Sequence, residues 1–158
     1  MALEIERRFL IKNDNWKKFI TKKIFIEQGY LSKNLDDWII RIRFTDKDFK
    51  IALKKHIESF SNFEFEYPIP RKDGETIMSN LSNTIKKERF FLEVENKSWI
   101  IDCFKDTNYP LEIAEIELSN EEEELSLPSF ISKEITGLKH YSNCSLAYKP
   151  FSKWKDNC

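Results

Sequence analysis

The sequence predicts a mainly β chain of the α+β class, a closed eight-stranded antiparallel barrel with a few flanking helices. Three observations carry this expectation. First, like-charged residues sit two apart on an apolar frame in Glu4-Ile5-Glu6, Arg41-Ile42-Arg43, Glu64-Phe65-Glu66 and Glu115-Ile116-Glu117. Two is the side-chain period of a strand, so each charged pair shares one face and the residues between share the other. Second, about eight such runs are separated by short turn signals, and eight strands is about the smallest barrel with a useful interior. Third, 158 residues without a low-complexity linker suit one domain spanning 1–158.

Taken in order, a first strand covers Ala2–Lys12, where Leu3, Ile5, Phe9 and Ile11 alternate with charge. Trp16, Phe19 and Ile20 have helical spacing and predict a short helix over Asn13–Lys23. Strands follow at Ile24–Leu31, Trp38–Thr45, Phe49–Lys55 and Asn62–Ile69, with turns at Lys33-Asn34 and Asp46-Lys47-Asp48. A second helix fits Gly74–Asn83 through Ile77, Met78 and Leu81. Further strands fit Ile85–Glu93, Ser98–Phe104 and Leu111–Leu118. Ser119 with Glu122 three residues on reads as a capping box and predicts a short acidic helix before Pro128. The tail predicts a little helix and a closing strand around Leu146–Tyr148.

The faces of these strands point to a function. Glu4, Glu6 and Arg8 share a face, as do Arg41 with Arg43, Lys50 with Ala52 and Lys54, Glu64 with Glu66, and Glu115 with Glu117. Ordinary sheet surfaces set unlike charges across from each other. Pairs of one sign on each of several strands instead describe a lined cavity for an anion and its metal. Carboxylate pairs suit a hard divalent cation, and arginines suit phosphoryl oxygens through their bidentate fork.

Composition narrows the choice. The formal net charge of -1 excludes bulk electrostatic attraction to nucleic acid. Three glycines and no Walker-type signature leave phosphate binding to side chains. The first residues lack the apolar run of a signal peptide, and no stretch is long enough to span a bilayer. Cys103, Cys144 and Cys158 are odd in number and lack metal-ligand spacing, so a reduced cytoplasmic protein is expected.

In their order, these motifs resemble the CYTH, or triphosphate tunnel metalloenzyme, family. Its hallmark Glu-x-Glu-x-Lys is matched by Glu4-Ile5-Glu6-Arg7-Arg8, with Arg8 in place of lysine. Ile26-Glu27-Gln28-Gly29-Tyr30-Leu31 is similar to its second strand, Arg41 and Arg43 to its Arg-x-Arg strand, and Ile51-Ala52-Leu53-Lys54 to its Thr-x-Lys strand with Ala52 replacing threonine. Glu64 and Glu66, Lys87 and Arg89, Asp102-Cys103-Phe104, and Glu115 with Glu117 follow in the family's order. In the closing segment Lys139 fits a basic position, and His140 stands where arginine is usual.

The resemblance implies an eight-stranded tunnel open at both ends that binds a triphosphate with Mg²⁺ or Mn²⁺. The activities it implies are inorganic or thiamine triphosphate hydrolysis or, in one branch, ATP cyclisation. Arg8, Arg41, Arg43, Lys54, Lys87, Arg89, Lys139 and His140 would hold the triphosphate. Glu4, Glu6, Glu115 and Glu117 would hold metal, with Glu64, Glu66 and Asp102 as further ligands or supports. Lys54, its pKa depressed by cationic neighbours, would activate water with Tyr30 as its partner. Hydrolysis of tripolyphosphate or a small organic triphosphate is the leading expectation. A class IV-type adenylate cyclase and a non-catalytic polyphosphate or nucleotide binder are the alternatives. The expected partner is a small-molecule triphosphate, not nucleic acid or a membrane, and a homodimer is left open.

Overall fold

A computed structural model describes residues 2–32 and 37–154. The turn read at Lys33-Asn34 and the thiol of Cys158 lie outside the described residues. The strands are β1 (Leu3–Ile11), β2 (Ile20–Tyr30), β3 (Ile39–Thr45), β4 (Asp48–Glu58), β5 (Ser61–Ile69), β6 (Thr84–Val94), β7 (Lys97–Phe104), β8 (Glu112–Glu117) and β9 (Ile131–Glu134). They form one antiparallel sheet in the order β5-β4-β3-β2-β6-β7-β8-β1-β9. A further β5–β1 pairing closes the first eight into a barrel.

Closure is brief and shared. Only Leu3–Ile5 of β1 pair with β5, through partners Ser61–Phe63, and Phe9 and Ile11 pair with β9. The barrel therefore parts between β5 and β9. Local chemistry sets its corners: Glu95 and Asn96 both have positive φ, 49° and 64°, in the two-residue turn between β6 and β7, as a hairpin turn matching strand twist requires.

Outward-facing residues build the main core. Ile5, Phe9, Leu92, Val94, Trp99, Ile101, Ala114 and Ile116 project from β1, β6, β7 and β8 and are covered by Trp16, Leu118 and Phe130. Helix α1 (Arg71–Ser79) lies over β3 and β4. A Cβ at Gly74 would come within 2.2 Å of the Phe49 ring, so this approach requires glycine.

At one end of the interior the lining turns apolar. Ile85, Phe104 and Ile113 continue the inner faces of β6, β7 and β8 and pack on Ile135, Tyr141 and Leu146, the last from helix α2 (Asn143–Tyr148). The charged lining therefore does not extend over the whole interior.

Several local expectations change. The segment around Trp16 is a five-residue 3-10 turn, Asn15–Phe19, and β2 starts at Ile20. Lys22 and Ile24 there pair with β6, so sheet hydrogen bonds outweigh a three-residue apolar face. No helix forms between Ser119 and Pro128. Glu123 Oε1 accepts from the Ser119 backbone N–H at 2.8 Å, and Asn120 Oδ1 accepts from Glu122 N–H at 2.9 Å, so side chains satisfy the donors a helix would have used. Leu146–Tyr148 belongs to α2 rather than a strand, and β9, which edges β1, has no counterpart in the sequence reading. Among the described residues no helix is long and apolar enough to cross a membrane.

Candidate active site

Register brings the predicted charges onto one inner surface. Arg8 pairs across β1–β8 with Glu115, and Glu6 with Glu117. Tyr30 pairs with Arg41, Gln28 with Arg43, Lys54 with Glu64, and Arg89 with Asp102. A cavity of about 310 Å³ opens among them, lined in part by Glu6, Arg8, Tyr30, Arg41, Lys54 and Lys139.

Charges that share a sign along each strand are neutralised from the neighbouring strands. Lys54 Nζ stands 2.7 Å from Glu4 Oε2 and 3.4 Å from Glu6 Oε1. Arg41 Nη2 donates to Glu64 at 3.1 Å and Glu66 at 2.8 Å. Arg89 grips Asp102 with two bonds of 2.8 and 2.9 Å, while Lys87 donates to the same carboxylate at 2.6 Å. Glu115 lies 3.5 Å from Arg8 and 3.8 Å from Arg89.

Among the described residues two guanidinium nitrogens are left over. Arg8 Nη2 and Arg41 Nε are buried without a hydrogen-bond partner. A buried N–H of a cation is costly to leave unmade, so both positions favour an acceptor oxygen. Arg43 adds to this demand. Its Nε donates to the neutral amide of Gln28, and burial, with Arg41 and Arg89 nearby, draws its pKa below the ordinary arginine range.

Lys54 differs from expectation. Burial opposes its charge, but Glu6 and Glu4 outweigh that and push its pKa above the usual lysine value. Tyr30 is not its hydrogen-bond partner: the Tyr30 hydroxyl accepts from Gln28 Nε2 at 2.7 Å. Burial raises the Tyr30 pKa, so the phenol keeps its proton. Burial likewise lowers the Lys87 pKa, against the pull of Asp102.

Among the acids, burial and the adjoining Glu6 and Glu64 raise Glu4 to about 8 against the pull of Lys54. Glu64 goes the other way, to about 2: burial opposes the shift, but a hydrogen bond from Glu4 and the charge of Arg41 prevail. Glu4 thus favours its protonated form and Glu64 its ionised form. Asp102, although buried, is held well below the usual carboxylate range by Arg89 and Lys87.

One sequence-expected residue falls elsewhere, and Glu117 sits at the rim of the inner surface opposite Glu6. His140 is exposed and packs with Tyr141 and Trp154, at centroid distances of 4.6 and 5.0 Å, and is not among the cavity's lining residues. Glu117 is exposed at the end of β8. The sequence reading missed Gln28, Asn143, whose Oδ1 accepts from Lys87 at 2.9 Å, and His56, which lines the cavity beside Asn62. Neutral amides carry no charge pattern: alternation on the inner face of β2 could have marked Gln28, whereas Asn143, in α2, carries no such signal.

The chain is 33% identical to an inorganic triphosphatase of Acetivibrio thermocellus, over 99% of this chain and 100% of that protein. The chain belongs to the triphosphate tunnel family. No family profile matches it. Among solved structures, the inorganic triphosphatase NE1496 superposes with a TM-score of 0.69 at 24% identity, covering 93% of this chain and 95% of that one. A candidate adenylyl cyclase from Hippeastrum, described as having a dominant triphosphatase activity, gives 0.57 at 16% identity over 77% and 81%. At these identities the likeness to the tunnel proteins is one of fold.

Proposed function

We propose that this triphosphate tunnel protein hydrolyses inorganic tripolyphosphate, or a small organic triphosphate, within its charged barrel. The observation that carries the reading is the pair of buried, unpartnered guanidinium nitrogens on Arg8 and Arg41, both residues lining the 310 Å³ cavity. Oxygen-rich anions of high charge density satisfy such donors best. Arg43, Lys87, Arg89 and Lys139 extend the cationic surface along which further phosphoryl groups would lie.

The residues also fit a divalent cation. Among the described residues no three His, Cys, Asp or Glu side chains form a ready-made cage. Mg²⁺ usually takes one or two carboxylates together with substrate phosphates, so a dispersed carboxylate wall suits it. Burial favours a proton on Glu4, which such an ion would replace. Mg²⁺ or Mn²⁺ held by Glu4, Glu6, Glu115 and Glu117 would neutralise phosphoryl oxygens and lower the pKa of water. Glu64 and Glu66 hold Arg41, and Asp102 holds Lys87 and Arg89, so these three acids serve as supports of the basic wall.

Lys54 becomes a base only when Glu4 and Glu6 are engaged elsewhere, since those carboxylates hold its proton in place. Phosphoryl transfer requires positioning and charge stabilisation above all, and a wall of paired charges supplies both. Phosphate and cyclic AMP released from tripolyphosphate, ATP and thiamine triphosphate, each with Mg²⁺ and with Mn²⁺, test the reading. Phosphate release without cyclic AMP is expected. Cyclic AMP would turn the assignment to the cyclase, and no turnover of any substrate would turn it to a binder.

A further inference from the structure

Gln28 is fully buried on the inner face of β2, between two groups the proposed function uses. Its Oε1 lies 2.8 Å from Arg43 Nε and its Nε2 lies 2.7 Å from the Tyr30 hydroxyl. The orientation of this amide follows from its partners. A guanidinium has only donors, so the Gln28 oxygen must face Arg43 and the Gln28 NH₂ must face Tyr30. The amide nitrogen can only donate. The Tyr30 oxygen therefore accepts, and its own hydrogen is directed away from Gln28. Tyr30 is 4% exposed and lines the cavity, so the cavity is where an acceptor for that hydrogen can stand.

We infer that Gln28 is a positioning residue that fixes Arg43 and turns the Tyr30 hydroxyl into a hydrogen-bond donor aimed at a phosphoryl oxygen in the tunnel. This rests on the triphosphate reading of the site. It gives Tyr30 a role different from that of partner to Lys54, which is held by Glu4 and Glu6. It also explains why an uncharged side chain occupies a wall of ions. A carboxylate at this position would accept from Arg43 and from Tyr30 at once, turning the hydroxyl inward. A lysine would repel Arg43. Of these side chains, the amide alone both accepts from a guanidinium and donates to a phenol.

The test is a double-mutant cycle on tripolyphosphate affinity, measured by titration calorimetry in chelator without divalent cation, so that nothing turns over. Tyr30→Phe in the parent background is expected to weaken binding about tenfold or more, as a hydrogen bond to an anion is lost. Gln28→Glu weakens binding by its charge as well, so the decisive quantity is the effect of Tyr30→Phe within Gln28→Glu. There it should be less than about twofold, because the hydroxyl already points inward. The same factor in both backgrounds, or Tyr30→Phe binding like the parent, overturns the inference. If Gln28→Glu fails to fold, Gln28→Met replaces it, and an affinity unchanged from the parent overturns the inference equally. A parent that binds tripolyphosphate but releases no phosphate with Mg²⁺ or Mn²⁺ overturns the hydrolase reading alone, since the cycle reads binding. A parent that does not bind it overturns both.

Discussion

Replacing Asp102 with asparagine tests whether the basic wall is held by its own acid. The Asp102 carboxylate is 1% exposed and accepts two bonds from Arg89 and one from Lys87, all within 2.9 Å. Asparagine keeps the shape but removes the charge, and its NH₂ must face a cation. Breaking one side of a buried ion pair costs about 3–5 kcal/mol, because the remaining charge is uncompensated. With a urea slope of about 2 kcal/mol/M, the unfolding midpoint should fall by about 2 M. Tripolyphosphate without divalent cation should restore more of that loss in the variant than it adds to the parent, because the freed Lys87 and Arg89 gain an anion. Paired urea titrations with and without tripolyphosphate measure both effects. A midpoint unchanged within about 0.3 M would refute the reasoning. If stability held while the Mg²⁺ requirement rose, Asp102 would instead be the metal ligand that the sequence suggests.

Stability of the metal-free protein should depend on pH through Glu4. Its raised pKa, about 8, means that its contribution is complete below the ordinary carboxylate range and is lost as pH climbs toward 8, so urea midpoints should fall between pH 5 and 8.5 and Glu4→Gln should flatten that fall. Glu64 and Asp102 have the opposite sign and should erode stability only as pH drops below about 4. Lys54→Arg should retain the ion pairs to Glu4 and Glu6 and bind tripolyphosphate, yet nearly abolish phosphate release, since arginine does not give up its proton; equal turnover would make Lys54 a phosphate contact only. His140→Ala should leave hydrolysis within about twofold and lower stability by about 0.5–1.5 kcal/mol through lost ring contacts, as thermal unfolding would show.

The strands and their charged faces were legible because a period of two is a property of the backbone, and like-charged pairs are visible wherever that period holds. Arg41, Arg43, Glu64, Glu66 and Glu115 fall on the inner surface for that reason. What depends on distant partners was not legible. The capping-box pattern at Ser119 has the right residues, but Glu123 and Asn120 satisfy the backbone in a turn instead. Helix α2 is only six residues long, so its hydrophobic pattern is too short to tell from a strand, and packing under Ile85 and Phe104 decides its form. His140 was expected in the cavity because it stands where the family has arginine, but a 3-10 turn over Lys139–Tyr141 sends adjacent side chains in different directions.

Charge alternation along one strand also hid the balance across strands. From sequence, each like-charged pair needs an external ion, which would make removal of Arg41 a relief for the empty protein. In the barrel Arg41 bridges Glu64 and Glu66, so its loss would expose two carboxylates to each other instead. The same holds for Lys54 between Glu4 and Glu6. An empty tunnel is thus neutralised from within. An anion entering alone draws the arginines and lysines toward itself and leaves carboxylates unpaired, and a cation entering alone does the reverse. Together they take up both halves of each broken pair. Triphosphate and divalent cation should therefore bind with positive coupling, each raising the other's affinity by the same factor. Because that coupling arises in the walls, Glu6→Gln, which takes an acid from the Lys54 pair, should weaken it even where tripolyphosphate binding on its own is unharmed.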